Sequence, residues 1–145
     1  MRLVEITDDG GGIVEPLWLI RAEMVHRQLR PQLPLDYLGR MHQVFANGAR
    51  LMVVVDNERV LGLGLWRLIE NTYEGRRLYV DDLVTDESTR SQGVGKLLLQ
   101  HLEQQARTLG CEVLALDSGV QRVEAHKFYF REGMHIRSFC FRKTL

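Results

Sequence analysis

The chain has few cysteines, no excess of either charge and no long apolar run. Its two cysteines, Cys111 and Cys140, have neither metal-site spacing nor a disulfide framework, which favours a reducing, cytoplasmic setting. Lysine plus arginine and aspartate plus glutamate each total 19, so a nucleic-acid or anionic-membrane binder is not expected. No apolar run has the length of a membrane-spanning helix, and residues 1–7 are too short and too charged for a signal peptide.

Length and hydrophobic periodicity predict one domain over residues 1–145. The predicted order is a strand, two helices, three strands, a helix, a strand, a helix and a last strand. Pro16 begins the first helix, in which Leu17, Ile20, Met24, Val25 and residues 28–29 recur at helical spacing. Residues 135–142 alternate between polar and apolar side chains and are predicted as the last strand.

Two glycines in a predicted strand over residues 59–69 are a local signal. Gly62 and Gly64 alternate within this strand. Such glycines mark either a bulge or a place where another group packs close to the backbone.

A second pair of glycines, in Arg90-Ser91-Gln92-Gly93-Val94-Gly95-Lys96, is the main functional signal. It lies between a predicted strand over residues 77–85 and a predicted helix over residues 94–109. Glycine lets a backbone turn sharply and approach a ligand, and a helix N-terminus offers unpaired N–H groups to an anion. The pattern predicts an anion-binding loop.

These residues, in this order of elements, resemble the GCN5-related N-acetyltransferase (GNAT) superfamily. Arg90, Gly93 and Gly95 match the cofactor-loop signature of that family, and residues 125–134 are similar to its C-terminal helix. The resemblance implies a mixed α/β (α+β) fold, with a mostly antiparallel central sheet and helices on both faces. Its fourth and fifth strands would be parallel and splayed apart.

The resemblance also implies that the protein binds acetyl-CoA as its acyl donor, without a metal. The backbone of residues 90–96 would hold the pyrophosphate, and Leu83, Val84 and Thr85 would pair with the pantetheine arm. Ser118 stands where many members carry an asparagine that contacts the pantetheine. His126 is a further cofactor-site candidate, although a lone histidine on a helix is more often structural.

Three residues are candidates for catalysis. An amine acceptor must lose a proton before attack, and Asp81 and Asp82 could take it, either directly or through water. Strand alternation predicts that the two aspartates face opposite sides, and family members with a Glu-Asp pair favour Asp81. By the same resemblance Tyr129 would protonate the leaving thiolate. Core packing and structural ion pairs are the alternative roles of these residues.

The expected activity is transfer of an acetyl group to a primary amine in a ternary complex. A longer acyl group, or a non-catalytic acyl-CoA-binding module, is the alternative. Acidic residues at Glu70, Glu74, Asp81 and Asp82 indicate a cationic amine, which is otherwise unidentified. The resemblance also implies a homodimer, while no nucleic-acid or membrane partner is expected.

Overall fold

The computed structural model describes all 145 residues, which divide into two compact units, Met1–Ala115 and Leu116–Leu145. The helices and strands are β1 (Arg2–Glu5), α1 (Pro16–Leu29), α2 (Tyr37–Ala46), β2 (Arg50–Asp56), β3 (Arg59–Asn71), β4 (Gly75–Thr85), α3 (Val94–Thr108), β5 (Val113–Leu116) and α4 (Val123–Arg131). A short 3-10 turn, Glu87–Thr89, precedes α3. None of the helices combines the length and the apolar composition that crossing a bilayer requires.

The five strands form one sheet in the order β1-β2-β3-β4-β5. The first four are antiparallel, and β5 is parallel to β4, which confirms the predicted mixed sheet. The Glu112 N–H donates to the Arg76 carbonyl at 2.8 Å. This bond fixes the register of the two parallel strands. Along that register Ala115 lies opposite Val80, and β5 ends one residue later. The last residues of β4, 83–85, therefore extend beyond the end of β5.

Helices α1 and α2 cover one face of the sheet and form the main apolar core with it. The apolar residues that recur at helical spacing in α1 do not share one environment, because Leu17, Ile20 and Met24 are exposed and Val25 is buried. The buried residues of α1 are Leu19, Ala22, Val25 and His26. This helix carries apolar residues on both sides, so periodicity alone does not select the side that meets the sheet.

Helix α3 covers the opposite face and packs very close to β3. A Cβ atom added at Gly62 would lie 2.7 Å from Val94 Cγ1 and 2.9 Å from the Val84 carbonyl oxygen. Both alternatives offered for this glycine are therefore met, because another group packs against its backbone and a bulge lies beside it at Leu61. The absent side chain lets the first turn of α3 approach the sheet.

The predicted strand over residues 135–142 is wrong. This segment has no regular secondary structure, and no residue after Met134 donates or accepts a backbone hydrogen bond. Its alternating apolar side chains are exposed, including Phe139 and Phe141 at 82% and 94%. Alternation is necessary for a half-buried strand, but a strand also needs a neighbouring strand edge to bond.

We expect Gly62→Ala to destabilise the protein by about 1–3 kcal/mol, the usual cost of overpacking a filled core. The new methyl group would meet a backbone oxygen, which cannot rotate away as a side chain can. Urea unfolding would measure the loss. Gly64→Ala is the matched control, because its Cβ would meet only side chains of Leu102 and Met52 at 3.6 Å. Equal stability of both variants would contradict the close-packing explanation.

Candidate active site

The loop before α3 leaves a set of backbone donors open. Ser91 and Gly93 have positive φ angles of 65° and 85°, which turn the chain twice before the helix begins. No side chain caps α3, and its first backbone bond from this end is donated by Leu97 to Gly93. The N–H groups of residues 92–96 consequently have no hydrogen-bond partner. Unpaired N–H groups at the positive end of a helix dipole attract an anion.

The entry to this loop is fixed by hydrogen bonds to β3. The Asp86 N–H donates to the Leu61 carbonyl at 2.8 Å, and the Asp86 carboxylate accepts from the Ser88 N–H at 3.0 Å. Arg59 lies 3.4 Å from the same carboxylate. These contacts hold the chain between β4 and α3, so the loop starts from a defined position.

A β-bulge in β4 decides where the two aspartates point. Trp66 pairs with Val80 and Leu65 pairs with Asp82, so Asp81 is the extra residue with no partner of its own. The Asp81 carboxylate instead accepts a bond from Arg67 Nε at 2.8 Å. Arg67 and Leu65, two residues apart on β3, share the face that α1 and α2 cover. The prediction that Asp81 and Asp82 face opposite sides is therefore wrong.

The Asp82 carboxylate is held by one residue of α1 and by the residue that follows this helix. His26 Nε2 lies 2.7 Å from Asp82 Oδ2, and Arg30 Nε donates to Oδ1 at 2.7 Å. Burial alone would raise the pKa of Asp82, but His26 and Arg30 together lower it below its usual value. His26 Nδ1 lies 2.9 Å from the Tyr37 hydroxyl, whose pKa is raised by burial and by nearby carboxylates. Asp82 is thus ionised at neutral pH and is hydrogen-bonded through both of its carboxylate oxygens.

Asp81 is in a different electrostatic environment. Burial raises the pKa of its carboxyl group, and Arg67 only partly opposes this effect. Asp82 adds a further, smaller rise because two carboxylates close together repel. The two neighbouring carboxyl groups therefore have pKa values shifted in opposite directions, which is a common arrangement where one of them exchanges a proton.

The predicted pantetheine-contacting residues lie in the part of β4 that extends beyond the end of β5. Leu83 and Val84 are buried and Thr85 is half-buried, and all three pair with β3 on their other side. A strand edge without a neighbour presents N–H and C=O groups that an extended ligand can bond.

The remaining candidate residues lie in the second unit and differ in their hydrogen bonds and packing. Ser118 Oγ is buried and has no hydrogen-bond partner. His126 Nε2 lies 2.8 Å from the Gly119 carbonyl, to which it donates, so its ring fixes the preceding loop. Tyr129 packs against Phe128, with ring centroids 5.5 Å apart. Burial raises the pKa of the Tyr129 hydroxyl, and Arg122 partly opposes the rise.

Sequence reasoning missed His26, Arg30 and Arg67 as members of this site. Arg67 offered a signal, because a cation inside an otherwise apolar strand needs a carboxylate partner. His26 offered none, since its position on the buried side of α1 depends on which side of the helix meets the sheet.

A sequence model described as the acetyltransferase (GNAT) family matches residues 17–134. The chain belongs to the GNAT family. It is 36% identical over 123 residues to YhdJ of Bacillus subtilis, an uncharacterised N-acetyltransferase, and the match covers 81% of this chain and 85% of that protein. The aminoalkylphosphonate N-acetyltransferase of Salmonella typhimurium is 38% identical over 66 residues, 46% of this chain and 43% of that enzyme. A Trypanosoma brucei acetyltransferase structure has a TM-score of 0.79 at 21% identity, with 99% of each chain covered.

The protein is therefore an acetyltransferase, and GNAT enzymes use acetyl-CoA as the acyl donor. The residues present fit that donor. Five N–H groups before α3 are open to a pyrophosphate, and a Cβ atom at Gly93 would meet no other atom within 4 Å. In the second unit, the Ser118 hydroxyl is a buried polar group without a partner, as expected of a residue that bonds a ligand.

We expect Asp82→Asn to lower the free energy of unfolding at pH 7 by about 1.5–3 kcal/mol, the range for hydrogen bonds to charged groups. Because the folded-state pKa of Asp82 is lowered, its contribution is present above the unfolded pKa of about 3.9 and disappears as pH falls through the folded value. Urea unfolding of wild type and variant at pH 7 and at about pH 3 would measure both effects.

Asp9→Asn is the control for this experiment, because the Asp9 side chain is fully exposed and should change stability at neither pH. A stability loss for Asp82→Asn that is the same at both pH values would contradict the assigned charge state.

Proposed function

We propose that this GNAT enzyme transfers the acetyl group of acetyl-CoA directly to a primary amine, with both substrates bound together. The observation that carries the proposal is the set of open N–H groups at residues 92–96, preceded in the chain by a strand with two differently tuned aspartates. A non-catalytic acyl-CoA-binding module would need the loop but would not need the two aspartates. The opposite pKa shifts of the aspartates support an enzyme in which a proton moves.

The backbone of residues 92–96 binds the pyrophosphate of the donor, and Gly93 keeps the space in front of it free of side-chain atoms. The free edge of residues 83–85 bonds the pantetheine arm, and one N–H there polarises the thioester carbonyl. Bound acetyl-CoA supplies an activated acetyl thioester, whose carbon–sulfur bond breaks as the new carbon–nitrogen bond forms.

Asp81 accepts the proton that the amine must lose. A lysine-like amine has a pKa of about 10.4 and reaches the enzyme protonated. Burial raises the pKa of Asp81 and makes it a better base than an ordinary aspartate. Asp82 is the poorer base because its oxygens are committed to His26 and Arg30, which lower its pKa. Asp82 instead fixes the shape of the site.

Tyr129 donates a proton to the sulfur that leaves. Its raised pKa means that the hydroxyl is protonated at neutral pH and available as a donor. The matching position in the C-terminal helix of the family supports this role.

Gly93→Ala should raise the dissociation constant of acetyl-CoA at least about tenfold, because one or more donors to a charged phosphate would be displaced. Gly110→Ala is a matched control at the other end of α3. Both glycines have positive φ angles, 85° and 73°, and neither has another atom within 4 Å of an added Cβ. Both variants carry a similar backbone strain, so calorimetric titration should show weakened binding in the first alone. Equal weakening in both variants would count against the pyrophosphate site.

Tyr129→Phe should retain acetyl-CoA binding while turnover falls at least about tenfold, the usual loss when a general acid is removed. Phe130→Leu, at an exposed aromatic position of the same helix, is the control for packing changes. A mass-shift assay with a mixture of amines and a separate binding titration would separate the two quantities. Unchanged turnover would remove Tyr129 from the mechanism, and donor binding without acetylation of any amine by the wild type would favour a non-catalytic module.

A further inference from the structure

A cavity of about 280 Å³ lies on the α1 and α2 side of β4. Asp82, His26 and Arg30 form its inner end, and Arg40 of α2 lines it as well. Apolar side chains, Met41 among them, complete the wall. A concave site with a few convergent polar groups and an apolar wall is typical of small-molecule binding.

Arg27 holds in place the segment that contributes Leu33 and Pro34 to the cavity wall. Its guanidinium group donates to the Leu33 carbonyl at 2.6 Å and to the Pro34 carbonyl at 2.7 Å. Glu23 holds the same guanidinium group through a bond of 2.9 Å. The segment between α1 and α2 is thereby fixed in place, and a ligand that enters the cavity need not order it.

The charges in the cavity are unbalanced. Two guanidinium groups, those of Arg30 and Arg40, face one carboxylate, that of Asp82, which leaves one positive charge in excess. Arg30 donates from Nε to the Asp82 carboxylate and from Nη2 to the Asp81 carbonyl. Its Nη1 has no hydrogen-bond partner. The Arg40 guanidinium group has no hydrogen bond and no ion pair. Arginine donors left over in a concave site fit a carboxylate or a phosphoryl group.

The acidic residues that indicated a cationic acceptor are all neutralised by arginines. Asp81 pairs with Arg67 and Asp82 with Arg30, while Glu70 and Glu74 pair with Arg76 and Arg77. A diamine or polyamine would find no free carboxylate in the cavity for its second charge. An anionic group would find the free donors of Arg30 and Arg40.

We infer that the acceptor is a small zwitterionic amine, whose carboxylate or phosphate binds Arg30 and Arg40 and whose amino group reaches the Asp81–Asp82 region. The inference rests on the proposed function and adds the chemical class of the acceptor. Arg30 connects the two halves of the site, because one guanidinium group contacts both the Asp82 carboxylate and the Asp81 carbonyl. The anion and the amine are therefore separated by a short linker.

The test uses four primary amines of equal chain length that end in a carboxylate, a phosphate, a hydroxyl or a second amine. Initial rates with saturating acetyl-CoA should give values of kcat/KM for the carboxylate or the phosphate at least tenfold above those for the alcohol and the diamine. The two anionic arms distinguish a carboxylate acceptor from a phosphorylated one. Equal or higher values for the diamine or the alcohol would overturn the inference while leaving the acetyltransferase proposal intact.

Arg40→Met tests the binding group itself. Arg40 is exposed and bonds no other side chain, so the substitution removes charge without breaking an internal contact. The preference for the anionic acceptor over the alcohol should fall at least about tenfold, through KM rather than kcat. Arg107→Met, at an exposed arginine of α3 outside the cavity, is the matched control and should leave the preference unchanged. An undiminished preference in Arg40→Met would overturn the assignment.

A binding measurement separates this inference from the proposed function. If no amine is acetylated, the proposed function fails, and calorimetric titration of the four amines then decides the inference. Tighter binding of an anionic amine to the wild type than to Arg40→Met would support the cavity as its site. Equal binding of the diamine and the anionic amines would reject it.

Discussion

The hydrogen bonds of the Asp82 carboxylate are the interaction on which the proposed acceptor side of this enzyme depends. One buried anion joins β4 to His26 and Arg30, and His26 extends the connection to Tyr37 at the start of α2. Burying a carboxylate is costly unless it is fully bonded, and these partners satisfy it. The same bonds set the inner end of the cavity, the orientation of Arg30 and the difference in pKa between the two aspartates.

Much of the proposed donor site is made of backbone, and the conformation of that backbone could be predicted from the sequence. The spacing of Gly93 and Gly95 reports a backbone conformation directly, and the structure has the corresponding positive φ at Gly93 and open N–H groups. The close packing at Gly62 could also be predicted, because a glycine inside a strand indicates either a bulge or close packing. At both glycines the sequence indicates a property of the same residue, the backbone conformation at Gly93 and the close packing at Gly62.

The proposed acceptor side could not be predicted in the same way, because long-range pairing determines its geometry. The side to which Asp81 points follows from a register shift between β3 and β4. The residue types in β4 do not predict this shift. The buried side of α1 is likewise selected by the sheet, so helical spacing alone did not identify His26 and Arg30. The predicted strand over residues 135–142 failed because alternation says nothing about whether a neighbouring edge exists.

The extra residue in β4 has a consequence for how this strand can change over evolutionary time. Asp81 can be exchanged for another residue without moving its neighbours, because it occupies no pairing position. Removing one residue there is a different kind of change. The strand would regain regular alternation while Val80 still faced Trp66 and Asp82 still faced Leu65, so no other side chain would change face. The register of the sheet therefore tolerates the loss of this one residue, and the constraint on Asp81 comes from the proton transfer proposed for it.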